Sequence, residues 1–479
     1  MTNHLHNVTH APLRDDGVFD LRLVARDGAF TFNRQLPFFN WYYPFDARPD
    51  YILNPVLPFL ELGRQPVRRK AVYLHVPFCD TICSFCPFTR GKYHGGQEVQ
   101  SYVEALVDEI ELKRSIIGRA APDVIFVGGG TPSVLSPAQI EVLGEALHTH
   151  LDTKNVIEFT FELEVKSVTH EKLEAMRRIG VNRVSFGAQT FSAPHRELFS
   201  LDATVGQLRD TAQMANEMFA YTNIDMIYGM AGQSHEDLSR DISEALSLET
   251  TTVDFYPLNN LAAQARMHKR VHESGLQHLT ASERLEYRHS IDRQLRARGY
   301  CAINGYSYGR SEGVNQETIQ HHPKFQYHDI IYGYHDDVLL GYGASALSQL
   351  PGYNVYNHPD RAEYISRVRA GTLPWEASEV GDCFEKGIVT FPYRGMLDKS
   401  RIPWERVPSE TMAAFEEALA TGLIVDEDDS YKVTESGWLF YVNLMYHLMP
   451  FEGKRWISDR IASQMGGGRE CEETGFEVA

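Results

Sequence analysis

Apolar runs of strand length alternate with stretches of helical period through the middle of this 479-residue chain. "AVYLHV" (71–76) precedes "SYVEALVDEIELKRSII" (101–117), where Tyr102, Val103, Leu106, Val107 and Ile110 recur on one helix face. "DVIFV" (123–127) leads to a helix beginning near Ser136, and "VIEFTFEL" (156–163) to a helix over "THEKLEAMRRIG", whose Gly180 suits a C-cap. "NRVSFGAQ" (182–189), a helical stretch over 204–219, "NIDMIYG" (223–229), another over 235–248 and "VDFYPL" (253–258) complete the series. Such alternation predicts an α/β fold built on a parallel sheet, an open or closed (β/α) barrel.

After about 375 the pattern changes. "SETMAAFEEALATGLIVDEDDSYKVTESGWLFYVNLMYHLM" (409–449) reads helix, short polar hairpin, helix, which predicts a small helical or winged-helix-like domain over 375–479. Residues 1–68 carry a run of Pro and aromatics, "LPFFNWYYPFDARPDY", and are expected to form an extension packed on the barrel of 69–374, as surface packing or as a wall of the substrate site.

Composition narrows the class. A 43% hydrophobic content supports a large core. With 46 basic and 64 acidic residues the net charge is -18, which argues against a protein that coats nucleic acid. The polar N-terminus lacks a long apolar stretch and reads as neither signal peptide nor membrane anchor, so a cytoplasmic location without a membrane partner is expected. A reducing compartment keeps thiols available for metal.

"HVPFCDTICSFCPF" (75–88) places Cys79, Cys83 and Cys86 within eight residues, whereas Cys301, Cys383 and Cys471 are scattered and read as structural thiols. A structural zinc site needs four protein ligands, and there is no second CxxC, although His75 or His94 could complete one. An iron-sulfur cubane held through three irons fits better. The missing fourth thiolate then leaves one iron open to a substrate or cofactor.

CxxxCxxC resembles the signature of radical S-adenosylmethionine (SAM) enzymes. "YLHVPFC", "VGGGTPS" (127–133), "NRVSFGAQTF" (182–191), "NIDMIYGM" (223–230) and "LLGYGASALS" (339–348) are similar, in the same order, to the subfamily of oxygen-independent coproporphyrinogen oxidases and their class C methyltransferase relatives, over roughly 70–450. The resemblance implies a partial (β/α)6 TIM-like barrel, a [4Fe-4S] cluster on Cys79, Cys83 and Cys86, and SAM chelated to the open iron. It places Tyr73, Gly129 and Glu162 at the cluster-bound SAM, and Phe85, Gly130, Thr131, Gln189, Asp225 and Asn259 at a second SAM. Two positions depart from the pattern. The further Cys that coproporphyrinogen oxidases carry is Phe88 here, and Leu201 stands where the family has an Arg near the second SAM, a role left to Arg196 or Arg209.

Physical reasoning from the predicted strands points to the same positions. In (β/α) barrels the chemistry sits at the C-terminal strand ends. Cys79 to Cys86 follow the first strand, Gly128 to Gly130 the second, Glu162 ends the third, Gln189 the fourth, and Asp225 lies late in the fifth. "GGGT" permits close backbone approach to a ligand. Glu162 can accept two ribose hydroxyls, and Gln189 and Asp225 can bind amino or hydroxyl groups. Arg90 and Lys92, just after the cluster loop, suit an anionic group, and "NGYSYGRSE" (304–312) suits either a substrate loop or a plain connection.

The implied chemistry begins with reductive cleavage of SAM to a 5′-deoxyadenosyl radical, fed by a donor such as flavodoxin or ferredoxin. The leading expectation for the second half is methyl transfer, or a related carbon-radical modification, on a small specialised metabolite using a second SAM. Tetrapyrrole chemistry is the alternative, as coproporphyrinogen oxidation or as haem breakdown, since "CPF" and "GWLFYVNLMYHL" are also similar to haem-degrading relatives. A haem chaperone is the non-enzymatic reading, with His321 and His322 as a possible ligand pair.

Overall fold

The computed structural model describes residues 42–45, 56–62, 66–86, 90–258, 264–310 and 325–457. Phe88, Asn259, His321, His322 and Cys471 lie outside them.

Six strands, β1 (Arg69–Val76), β2 (Val124–Gly129), β3 (Glu158–Leu163), β4 (Arg183–Gln189), β5 (Tyr221–Tyr228) and β6 (Thr252–Pro257), lie side by side in chain order and all parallel. Between them run α1 (Gly96–Ile117), α2 (Pro137–His150), α3 (His170–Arg178), α4 (Val205–Met218) and α5 (His235–Ser247). The apolar period predicts these elements to within a few residues, apart from α1, which begins five positions before the expected 101. Local chemistry fixes several starts. Ser136 with Gln139, Thr204 with Gln207 and Ser234 with Asp237 each close a capping box that satisfies otherwise unpaired helix N–H groups.

The sheet continues beyond the six-strand unit on both sides. After β7 (Tyr300–Ala302) and β8 (Ser307–Arg310) come β9 (Asp337–Tyr342), β10 (Leu347–Leu350), β11 (Gly352–Asn357) and β12 (Trp375–Gly381). The order is β12-β11-β10-β9-β1-β2-β3-β4-β5-β6-β8-β7, with β9 parallel to β1 and the outer pairs antiparallel. It is a linear order, so the barrel is open. The strand β12 begins at Trp375, so the large sheet runs past position 374 before the C-terminal unit starts.

That unit consists of the helix Lys386–Arg394, a three-stranded sheet of Met396–Asp398, Ile424–Asp426 and Ser430–Val433, and the helices Ser409–Ala420, Glu435–Leu439 and Tyr441–Leu448. Tyr393, Trp438 and Tyr441 are fully buried and join its core to that of the barrel. Residues 42–45 are tied to the same region. The Tyr43 hydroxyl donates to Glu385, and Asn354 Nδ2 donates to the Pro44 carbonyl (3.0 Å). No helix among the described residues is long and apolar enough to cross a membrane.

Candidate active site

The loop carrying Cys79, Cys83 and Cys86 leaves the C-terminal end of β1 and is anchored at its middle. The Ser84 hydroxyl donates to the Phe199 carbonyl (3.2 Å), and Gln264 Nε2 donates to the carbonyl of Phe85. Phe85 is buried in an apolar patch with Phe199, Ile227, Met230 and Leu258, against which Cys83, Leu201 and Tyr256 pack. The three thiols lie close enough to influence one another. Burial, then the neighbouring Cys86 and Cys79, push Cys83 up to about 12, and burial also raises Cys79, against a hydrogen bond from the Thr131 hydroxyl (3.5 Å) and the charge of Arg90. Among the described residues no three His, Cys, Asp or Glu side chains converge on a point where one metal ion would sit.

Beside the loop, the glycine turn after β2 is built for close approach. A Cβ on Gly130 would come within 2.6 Å of the Phe78 carbonyl oxygen, so only glycine fits there. Gly129 has φ +117, and a Cβ there would lie 2.7 Å from the His75 ring. Its N–H donates to Glu162 Oε2 (3.0 Å). Tyr73, on the lumen side of β1, meets His75 Nδ1 through its hydroxyl (2.8 Å).

Gln189 ends β4 in the left-handed region, φ +66, at an irregularity in the register with β5. Asp225 accepts from Ser185 (3.1 Å) and Asn223 (2.8 Å). Burial, then the neighbouring Asp254, hold Asp225 well above the usual carboxylate range. The structure therefore brings Tyr73, Phe85, Gly129, Gly130, Thr131, Glu162, Gln189 and Asp225 to the end of the barrel that carries the cysteine loop. Asn259 lies outside the described residues.

Neither arginine offered as a substitute at the Leu201 position is free for a ligand carboxylate. Arg196 donates to the carbonyls of Ala188 (2.9 Å), Thr190 (2.8 Å) and Ala203, which pins the loop after β4. Arg209 sits on the outer face and pairs with Glu244 (2.8 Å).

Residues 73–245 match the model of the Radical SAM superfamily. The chain carries a radical SAM domain. It is 27% identical over 374 residues to an oxygen-independent coproporphyrinogen III oxidase of Cereibacter sphaeroides, covering 76% of this chain and 78% of the relative. It is also 27% identical over 311 residues to the haem chaperone HemW of Bacillus subtilis, covering 64% and 78%. The solved structure of coproporphyrinogen III oxidase (HemN) from Escherichia coli, described as a radical SAM enzyme, superposes with a TM-score of 0.71 at 22% identity, over 84% of this chain and 96% of that one.

Radical SAM proteins use a [4Fe-4S] cluster and SAM, and the residues of this domain fit both. Three thiols on one short loop, spread too widely for a single ion, suit a cluster in which each thiolate takes a different iron. Burial disfavours the thiolates of Cys79 and Cys83, so their ligation releases protons.

Sequence reasoning missed the polar lining of the barrel. Arg183, at the start of β4, is 1% exposed, and its guanidinium lies 3.8 Å from the centre of the Phe325 ring. Its positive charge acts on four carboxyls, the buried Glu158 and Asp254 and the half-buried Glu162 and Asp225, and lowers each against the stronger effect of desolvation. One cation cannot neutralise four anions in a low dielectric, so the charged forms of these carboxyls are disfavoured. An alternation rule places Arg183 inward, yet gives no sign of the partners it meets.

Aromatic rings wall the same space. Tyr327 stacks on Phe126 (4.5 Å between centres) and Tyr42 on Tyr332 (6.0 Å), while Tyr393 meets Tyr332 at a tilt (4.2 Å, 40°). Tyr42 is 43% exposed, yet burial and then Glu162 push its hydroxyl up to about 12. Part of the N-terminal extension thus reaches the lumen near Glu162.

Proposed function

We propose that the protein is a radical SAM enzyme whose substrate is a tetrapyrrole, held against the aromatic side chains beside the cysteine loop. The observation that carries this reading is the meeting of two features in one lumen: the glycine turn and Glu162 beside the loop, and the aromatic walls of Tyr42, Tyr73, Tyr327 and Tyr332. Flat aromatic walls favour a large planar or near-planar ligand through stacking. The named relatives support the substrate class, being a porphyrinogen oxidase and a haem chaperone. Methyl transfer to a specialised metabolite draws no support from those names.

When bound, the cluster and SAM supply a 5′-deoxyadenosyl radical. The chain's own residues position and enclose it. Cys79, Cys83 and Cys86 would hold the cluster, Gly129, Gly130 and Tyr73 would admit SAM close to the backbone, and Glu162 would accept hydrogen bonds from its ribose. Gln189, Thr131 and Asp225 line the next position along the mouth, where a second SAM or the substrate edge would lie. Asp225, held well above the usual carboxylate range by burial and Asp254, can donate to ring substituents.

The test is anaerobic reconstitution with iron and sulfide, reduction, and addition of SAM with either coproporphyrinogen III or haem, reading 5′-deoxyadenosine and porphyrin products by mass spectrometry. Deoxyadenosine that rises with one of the two and depends on Cys79 supports the reading. Deoxyadenosine formation indifferent to both removes the substrate class, and its absence from cluster-loaded protein removes the enzyme in favour of a haem carrier.

A further inference from the structure

Holding a cluster, SAM and a planar substrate leaves one feature of the lumen unused. Tyr256, near the end of β6, stands partly open at the mouth, packed against the same apolar patch that Cys83 packs against, and its hydroxyl donates to Asp254 Oδ2 (2.9 Å). Its ring centre lies 4.3 Å from that of Tyr306, which lies 5.3 Å from that of Tyr393. Tyr393 is fully buried, and its hydroxyl lies 2.6 Å from His328 Nδ1, while the Tyr306 hydroxyl approaches the same nitrogen at 3.4 Å. Three phenols in ring contact thus descend from the cysteine loop and end on an imidazole.

The protonation states suit a relay. Burial holds Tyr256, Tyr306 and Tyr393 well above the usual phenol range, and burial, then Arg183, hold His328 well below the usual imidazole range. The phenols and the imidazole are therefore neutral, and although burial and Arg183 weaken His328 as a base, a phenol that has lost an electron is acidic enough to pass its proton to the ring nitrogen it faces. A phenol in a dry interior gives up an electron readily only when its proton has an acceptor within hydrogen-bond reach, and Tyr393 has one.

We propose that Tyr256, Tyr306, Tyr393 and His328 form a hydrogen-atom and electron relay that quenches a carbon-centred radical at the barrel mouth and stores the oxidising equivalent on Tyr393. The proposal rests on the radical reading above. The carbon radical forms a C–H bond with the hydrogen of the Tyr256 hydroxyl, whose O–H bond breaks homolytically. An electron then passes from Tyr393 through Tyr306 to Tyr256, and the oxygen of the partly open Tyr256 regains a proton from water. The Tyr393 proton moves to His328 Nδ1, leaving a neutral phenoxyl beside an imidazolium. One electron from a reductant of the flavodoxin or ferredoxin class resets Tyr393, and His328 returns its proton to it.

The experiment uses full-length, cluster-loaded protein with 3-aminotyrosine, a more easily oxidised analogue, in place of Tyr393. Pre-reduced protein is freed of excess reductant, mixed with SAM alone, frozen at intervals and read by electron paramagnetic resonance alongside deoxyadenosine. An aminotyrosine-centred signal growing with deoxyadenosine is expected. In otherwise wild-type protein, the tyrosine-centred signal should fall at least tenfold on His328→Phe with the circular dichroism spectrum retained. Deoxyadenosine accumulating while position 393 stays silent overturns the relay. If no deoxyadenosine forms, the radical reading fails separately, and photo-oxidation of the same protein with a ruthenium polypyridyl sensitiser decides the relay. It stands if the radical settles at position 393 in a His328-dependent way and falls if it settles elsewhere.

Discussion

The Gly129 N–H donates to Glu162 Oε2 over 3.0 Å, and this contact ties the glycine turn after β2 to the end of β3. It also leaves a half-buried carboxyl next to the cysteine loop. Burial lifts Glu162 from 4.5 to about 7, against the Gly129 hydrogen bond and the charge of Arg183.

A raised carboxyl means that the folded state binds more protons than the unfolded state between those two values. The stability associated with Glu162 is therefore fully present below about pH 4.5 and is lost as the pH rises through about 7. Glu162→Gln keeps an acceptor for Gly129 and removes the titration. Urea melts of the apoprotein should show the variant gaining on the order of 2 kcal/mol above neutrality and nothing at the acid end. SAM affinity should drop by about tenfold in the same variant, the loss of roughly one good hydrogen bond. An unchanged acid-to-neutral stability difference would mean that Glu162 is solvated.

Gly130→Ala drives a methyl group into the Phe78 carbonyl, a backbone atom that cannot swing aside. The substitution should destabilise by about 2 kcal/mol and lower the iron bound per chain, because Phe78 immediately precedes Cys79. Iron and sulfide analysis after reconstitution checks this. Full cluster loading would show that the loop can move away from the turn.

Arg196 holds three loop carbonyls, whereas Arg209 holds only Glu244 on the surface. Arg196→Ala should cost about 2–4 kcal/mol, because buried acceptors lose a charged donor. Arg209→Ala should stay within about 0.5 kcal/mol. Thermal melts separate the two, and a SAM-affinity loss on Arg209→Ala would place that side chain at the site after all.

Lys113 and Glu109 form a fully buried pair (2.8 Å) on α1, away from the cysteine loop. Glu109 also accepts from Gly343 N–H (2.7 Å), Asn357 Nδ2 (2.8 Å) and the Tyr364 hydroxyl (2.7 Å), so it joins α1 to the loop after β9 and to β11. Lys113→Met leaves the carboxylate without its cation and should destabilise by about 3–5 kcal/mol. Iron per folded chain should not change. A loss smaller than about 1 kcal/mol in chemical denaturation would show that the three neutral donors suffice.

What the sequence determined by itself is local or periodic. The apolar period sets β1 to β6 and the helices between them, because burying one face or one whole strand is written in neighbouring residues. Ser136, Thr204 and Ser234 mark helix starts through contacts three residues away. The cysteine spacing from Cys79 to Cys86 specifies three thiolates on one loop, and it places that loop at the chemical end of the sheet once β1 is recognised.

Tertiary structure decided the rest. β9 joins the sheet beside β1 although some 260 residues separate them, a pairing that no local period encodes. Tyr42 reaches Tyr332, and His328 reaches Tyr393, across intervals in which nothing in the sequence marks one as the partner of the other. Arg183 reads as one polar residue at the start of an apolar strand, and only folding surrounds it with four carboxyls. The chemistry of the lumen depends on which charges share a low-dielectric space, and that is fixed by distance in the folded chain rather than by separation along it.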